Sequence, residues 1–166
     1  MTTTYPRDAR EQYERRTAQL CENDSQVRDA IPRADVREAA FRPGLSLAET
    51  VAAVRAGYAD RPALGERARE IFTDPATGRT EVRLLQRFET ISYGELWARA
   101  TAVASEWHHD PHTPLRRGDF VATLGFVSSD YVAVELACIR LGAVSVPLQA
   151  GAAAGALKPI VEETGA

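Results

Sequence analysis

Cysteine is scarce in this chain of 166 residues: Cys21 and Cys138 stand far apart, each in a helical pattern. That spacing excludes a disulfide scaffold and reads as two free thiols in a reducing compartment. Positive charge is not in surplus either, since the formal net charge is -3. A nucleic-acid partner, which needs a basic patch, is therefore not expected. No apolar run reaches the length of a membrane span. The opening Met1-Thr2-Thr3-Thr4-Tyr5-Pro6-Arg7 lacks the apolar core of a secretory signal. A cytoplasmic protein is the simplest reading.

Phosphate-binding signatures are missing as well. There is no Gly-x-x-x-x-Gly-Lys-Ser/Thr loop. Gly151-Ala152-Ala153-Ala154-Gly155 follows a strand pattern but lacks a third glycine and a later acidic residue, so it reads as a small-residue loop. No internal repeat is visible. What remains is ordinary globular material, 45% apolar and 26% charged, in a length that suits one domain or part of a larger one.

The best-defined pattern lies at residues 118–148. Phe120-Val121-Ala122-Thr123-Leu124 is an apolar run, as expected of a strand covered on both faces. Ser128-Ser129-Asp130 then caps a helix running to Leu141, Gly142 ends it, and Ala143 to Val146 returns as a second strand. Strand, helix and strand in about thirty residues specify a βαβ unit with adjacent, parallel strands.

Upstream, residues 7–22 predict a helix with a weak face of Ala9, Tyr13, Thr17 and Leu20. Residues 1–45 hold as many arginines as acidic residues and read as a helical leader; Pro32 and then Arg42-Pro43-Gly44 break the chain and mark a loop. Ser46-Leu47-Ala48-Glu49 is a capping box, followed by Leu47, Val51, Val54 and Tyr58 on one helical face. Asp74-Pro75-Ala76-Thr77-Gly78 is turn chemistry, and the alternation of Ile71/Thr73 and Val82/Leu84 beside it predicts a half-exposed hairpin. Ser92-Tyr93-Gly94-Glu95 is a second capping box, with Leu96, Ala100, Val103 and Trp107 as a core stripe. His108 to Pro114 reads as a polar loop. Leu157, Ile160 and Val161 predict a last helix capped by Gly165. The fold class is α/β: N-terminal helices, a β-hairpin, then a βαβ unit. A βαβ series continues with another parallel strand, so the expectation is an incomplete lobe, residues 46–166, of a longer protein.

No catalytic constellation stands out. His108, His109 and His112 fall together, but Pro111 and Pro114 break any regular ligand spacing, and a solvated loop is the favoured reading. Ser128 and Ser129, with Gly125 before them, lie at the carboxyl end of a parallel strand, where ligands bind in open α/β sheets. Helix capping explains the serines more simply. Asp119 and Glu135 are not paired by spacing for acid–base work, and Trp97 and Trp107 read as core. The catalytic, cofactor-binding and metal assignments for this chain are therefore none.

The Gly118-Asp119…Val121…Ser128…Tyr131…Leu141-Gly142-Ala143-Val144…Val146-Pro147-Leu148 wording resembles the start of adenylate-forming, AMP-binding enzymes. From about Arg42 onward the chain more closely resembles the adenylation domain of carboxylic acid reductases. The resemblance is carried by Arg42-Pro43-Gly44-Leu45, Gly57-Tyr58-Ala59-Asp60-Arg61-Pro62-Ala63-Leu64 and Arg83-Leu84-Leu85. It continues in Phe88-Glu89-Thr90-Ile91-Ser92-Tyr93-Gly94-Glu95-Leu96-Trp97 and in Arg140 through Gln149. Glu14-Arg15-Arg16 and Asn23-Asp24 look like the leader of the same family; the Ala- and Gly-rich stretch after Gln149 departs from its more polar wording.

The resemblance implies a longer enzyme. That enzyme activates a carboxylic acid with ATP and Mg, passes the acyl group to a phosphopantetheine arm, and reduces the thioester to an aldehyde with NADPH. Its implied partners are the carboxylic acid substrate, the remaining lobe, a carrier domain and a reductase domain. The family's phosphate loop, nucleotide-binding motifs and catalytic lysine all fall beyond this stretch. Two other readings stay open: a fatty-acyl-CoA or AMP ligase, and a non-enzymatic module that binds a partner through its sheet edge.

Overall fold

The computed structural model describes residues 7–166, except for the side chain of Arg7. They fall into two compact units, the first ending at Glu38 and the second running from Ala39 to Ala166.

In the first unit, α1 (Arg7–Asn23) matches the expected helix, but its weak apolar face points outward, with Tyr13 71% exposed. The segment expected to be a loop is helical on both sides of Pro32. Helix α2 (Ser25–Ala30) starts on Asp24, whose Oδ1 accepts from the backbone N–H of Gln26 at 2.8 Å and of Val27 at 3.3 Å. Helix α3 (Ala34–Ala40) follows and runs across the division. The proline separates two short helices because its ring disfavours helical backbone at the residue before it.

The second unit opens with α4 (Leu47–Gly57), started by the expected box: Glu49 N–H donates to Ser46 Oγ and Ser46 N–H donates to Glu49 Oε2. Strands β1 (Pro62–Thr73) and β2 (Thr80–Ser92) form an antiparallel hairpin with Ile71 opposite Val82. Its turn is held by Asp74, which accepts from Ala76 N–H and the Thr77 hydroxyl, and Gly78 supplies the positive φ of 68°. The hairpin is longer and more exposed than expected: Ile71, Val82, Leu84 and Phe88 are each more than three-fifths exposed.

Helix α5 (Tyr93–His109) begins on the Ser92–Glu95 box and runs two residues into the expected loop. Strand β3 (Phe120–Leu124), helix α6 (Ser129–Leu141) and strand β4 (Val144–Leu148) complete the βαβ unit. The two strands are parallel and in register from Phe120 opposite Val144 to Leu124 opposite Leu148. Gly142 closes α6 at φ 70°, and Ala143 N–H reaches back to the Cys138 carbonyl at 2.9 Å. Helix α7 (Ala154–Thr164) ends on Gly165 at φ 68°.

The core is built from small side chains at the α5–α6 contact. Ala100 and Ala104 of α5, and Ala133, Ala137 and Cys138 of α6, are at most 3% exposed, with Leu96 and Trp97 beside them. Small residues let two helix axes approach closely. The observed stripe is thus Leu96, Trp97, Ala100 and Ala104, while Val103 and Trp107 are half-buried. The expected covering of β3 and β4 on both faces is not found. Phe120, Leu124 and Val144 are 43%, 57% and 42% exposed: α6 packs against β4, and among the described residues these side chains are left partly in water.

Candidate functional site

The carboxyl end of β3 is where an open α/β sheet presents ligands, and the helix starting there offers free N–H groups to anions. Here two of those groups are engaged. Ser128 Oγ accepts from Tyr131 N–H at 3.2 Å, so Ser128 is the cap. Ser129 contributes its backbone N–H, which donates to Glu66 Oε1 of β1. That hydrogen bond, with the Ser129 side chain and then the positive field of Arg69 and Arg99, holds the Glu66 carboxyl below the usual glutamate range. A carboxylate from the hairpin thus accepts from one of the N–H groups that open α6. No local pattern could have shown this, since Glu66 and Ser129 are 63 positions apart.

The structure places two of the three histidines on α5 and the third in the loop after it. His108 and His109 end α5, with rings edge to face at 5.1 Å. Arg116 Nη1 donates to His108 Nδ1 at 3.1 Å and to its carbonyl at 2.8 Å. His109 Nδ1 donates to the Ser105 carbonyl at 2.8 Å. His112 lies in the following loop, its N–H held by Asp110. Backbone N–H groups of Thr113 and His112 lower the Asp110 carboxyl below the usual aspartate range. Among the described residues no three His, Cys, Asp or Glu side chains converge as a metal-sized group.

The remaining candidates fall into structural places. Asp119 Oδ2 accepts from Arg116 N–H at 2.6 Å, tightening the entry to β3. Glu135 of α6 accepts from the Ser145 hydroxyl of β4, joining helix to strand. Asp119 and Glu135 do not hydrogen-bond to each other; each serves a different junction. Gly155 lies inside α7, and neither it nor Gly151 has a positive φ, so the small-residue stretch is not a strained phosphate loop. Trp97 is 8% exposed and packs in the core, as expected.

Sequence reasoning missed a groove of about 520 Å3 between α4, α5 and α6. Its floor is apolar, from Ala48, Ala52, Ala104, Leu141 and the Trp97 ring; Thr101, Arg140 and the two histidines line it too. The guanidinium of Arg140 lies 5.5 Å from the Trp97 ring centre, and that of Arg55 lies 5.8 Å from it.

Comparison with known proteins places this geometry. The AMP-binding enzyme family matches residues 56–166. The carboxylic acid reductase of Mycobacterium tuberculosis is 50% identical over 150 residues, covering 90% of this chain and 13% of that protein. The carboxylic acid reductase of Segniliparus rugosus is 46% identical over 162 residues, covering 98% of this chain and 14% of that protein. The chain thus spans about one-seventh of the length of these curated relatives. Among solved structures, the A domain of the Segniliparus rugosus carboxylic acid reductase, in complex with AMP and a co-purified carboxylic acid, superposes with a TM-score of 0.83 at 47% identity. That match covers 91% of this chain and 24% of the other. The adenylation domain of the Mycobacterium chelonae carboxylate reductase gives 0.82 at 47% identity, over 98% of this chain and 25% of its own.

Proposed function

This chain belongs to the AMP-binding enzyme family, and we propose that it forms the opening part of the adenylation domain of a carboxylic acid reductase. The observation that carries the reading is the 47% identity kept across nine-tenths of the chain together with a TM-score of 0.83. Residues 1–45 act as a helical leader, and residues 46–166 as the first part of the adenylating lobe.

In the whole enzyme the carboxylate oxygen attacks the α-phosphorus of Mg-bound ATP, giving acyl-adenylate and pyrophosphate. The thiol of a phosphopantetheine arm on a carrier domain then displaces AMP. NADPH would supply the hydride that takes the thioester to an aldehyde, with a proton from water taken up by the departing thiolate to give the free thiol and NADP+. ATP and Mg supply the activation, and NADPH supplies the two electrons. The compartment proposed is the cytoplasm. Among the described residues no helix is long and apolar enough to cross a membrane.

The reading gives no residue of this chain a catalytic, cofactor-binding or metal-binding role. Its residues shape the lobe: Ser128 and Glu66 set the start of α6, Glu135 ties α6 to β4, and Gly142 turns the chain into β4. The 166-residue chain alone is therefore expected not to bind ATP in calorimetric titration; micromolar binding contradicts this assignment.

A domain exchange tests the function. This chain replaces its matched segment in the Segniliparus rugosus enzyme, and pyrophosphate release and NADPH oxidation are followed with a carboxylic acid. Retention of both supports the reading. A folded chimera that releases no pyrophosphate refutes it. The same exchange into a fatty-acyl-CoA ligase is expected to abolish its activity; retained activity there, with loss in the reductase, favours the ligase reading.

A further inference from the structure

We propose that the groove between α4, α5 and α6 binds a small organic anion, a carboxylate or phosphate head on a short apolar body, with Arg140 holding the head. This goes beyond the reading above and does not depend on it, since every group invoked lies within this chain.

The groove's volume of about 520 Å3 is in the range of small-molecule sites. Its floor of alanine methyls, Leu141 and the Trp97 ring offers an organic body apolar contact. The charge around it is unbalanced. Arg55 and Arg140 both approach the Trp97 ring, and among the described residues neither guanidinium has a carboxylate partner. The Nε of Arg55 is shut off from water without a hydrogen-bond partner. Of the two arginines, Arg140 lines the groove, where its positive charge attracts an anion. Glu49, the carboxylate lining the groove, does not serve: its Oε2 is taken by the N–H and hydroxyl of Ser46 at 2.8 and 2.7 Å. Those bonds, backbone first, hold it ionised below the usual glutamate range.

Thr101 of α5 lines the groove too, but its Oγ1 is shut off from water and so does not meet a ligand seated there. His109 Nδ1 is engaged by the Ser105 carbonyl and His108 Nδ1 by Arg116 Nη1. The head is therefore recognised by Arg140, whose planar fork suits a carboxylate or phosphate. Arg140 also sits in the last turn of α6, where a cation complements the helix dipole. That accounts for its position on the helix but leaves its forked donors unused.

The test is a fluorescence titration of the full 166-residue chain carrying Trp107→Phe, so that Trp97 alone reports. The probes are 3-phenylpropanoate, phenyl phosphate, the neutral 3-phenylpropan-1-ol and inorganic phosphate. Saturable binding of either aryl anion, at least about tenfold tighter than the alcohol or inorganic phosphate, is expected; tenfold corresponds to about 1.4 kcal/mol. A response to phenylpropanoate alone assigns a carboxylate head, and one to phenyl phosphate alone a phosphate head. Arg140→Gln should weaken binding at least about tenfold with the chain still folded, the lost helix-end charge lowering the melting temperature only slightly. Arg140→Lys should restore part of it. Equal binding of the alcohol, equal binding of inorganic phosphate, no saturable signal, or full binding by Arg140→Gln overturns the proposal.

Discussion

At the scale of single residues, helix starts and thiols have the sharpest consequences. Ser92 and Glu95 satisfy each other's backbone N–H groups, at 2.7 Å from Ser92 N to Glu95 Oε2 and 3.2 Å in return. Replacing Ser92 by Ala should cost about 0.5–2 kcal/mol in urea unfolding, because an orphan donor of α5 loses its acceptor. The Ser92 backbone bond, then its side chain, then Arg99, lower the Glu95 carboxyl below its ordinary value. A lowered folded-state value means stability that is complete above the unfolded glutamate range and lost as pH falls through the folded value. Glu95→Gln should therefore flatten the acid limb of the stability–pH curve; an unchanged limb refutes the assignment. The two thiols should also differ. Cys138 is 1% exposed, and burial, then the charge of Glu135, raises its thiol above the ordinary value, whereas Cys21 is half-buried. An aromatic disulfide reagent should titrate Cys21 in the native chain and Cys138 only on unfolding.

At the scale of elements, the α5–α6 contact and the α6–β4 turn carry the βαβ unit. Ala137 has no exposed surface and sits where the helices meet. Ala137→Leu should cost about 1–3 kcal/mol through overpacking, read as a lower denaturation midpoint with an unchanged m-value. Gly142 has φ 70°, and a Cβ there would lie 3.1 Å from Cγ of Arg117. Gly142→Ala should cost about 1–2 kcal/mol from the left-handed backbone alone. Removing the Arg117 side chain in the same chain should recover the steric part and leave the backbone part.

At the scale of the whole molecule, two of the places where the described residues expose apolar side chains lie beside strands. Phe126 and Val127, after β3, are 85% and 86% exposed; Ile71, Val82 and Leu84 lie on one face of the hairpin. Isolated exposed apolar residues are common, but patches beside strands with free edges favour association. The 166-residue chain should bind a hydrophobic dye and gain apparent mass with concentration in light scattering. Replacing Phe126 and Val127 by Ser should reduce both. A monomer at high concentration with a sharp two-state melt instead supports a self-sufficient module.

Much of this architecture was already determined by local sequence. The capping boxes at Ser46 and Ser92, the Asp74–Gly78 turn, the parallel β3–β4 pair and the caps at Gly142 and Gly165 formed as expected. Each rests on hydrogen bonds or backbone angles set by residues a few positions apart, or on a connection too short to allow another pairing. The short helices beside Pro32 were missed because one residue, Asp24, carries the start signal of α2. Choosing Trp97 and Ala104 for the core over Val103 and Trp107 was left to the tertiary structure, because a stripe's orientation depends on where α6 crosses. Tertiary structure alone brought Glu66 to the start of α6 and the guanidiniums of Arg55 and Arg140 to the ring of Trp97. These partners are separated by tens of residues, so neither periodicity nor spacing encodes their meeting. It arises from the packing of α4, α5 and α6 and from the path of the hairpin.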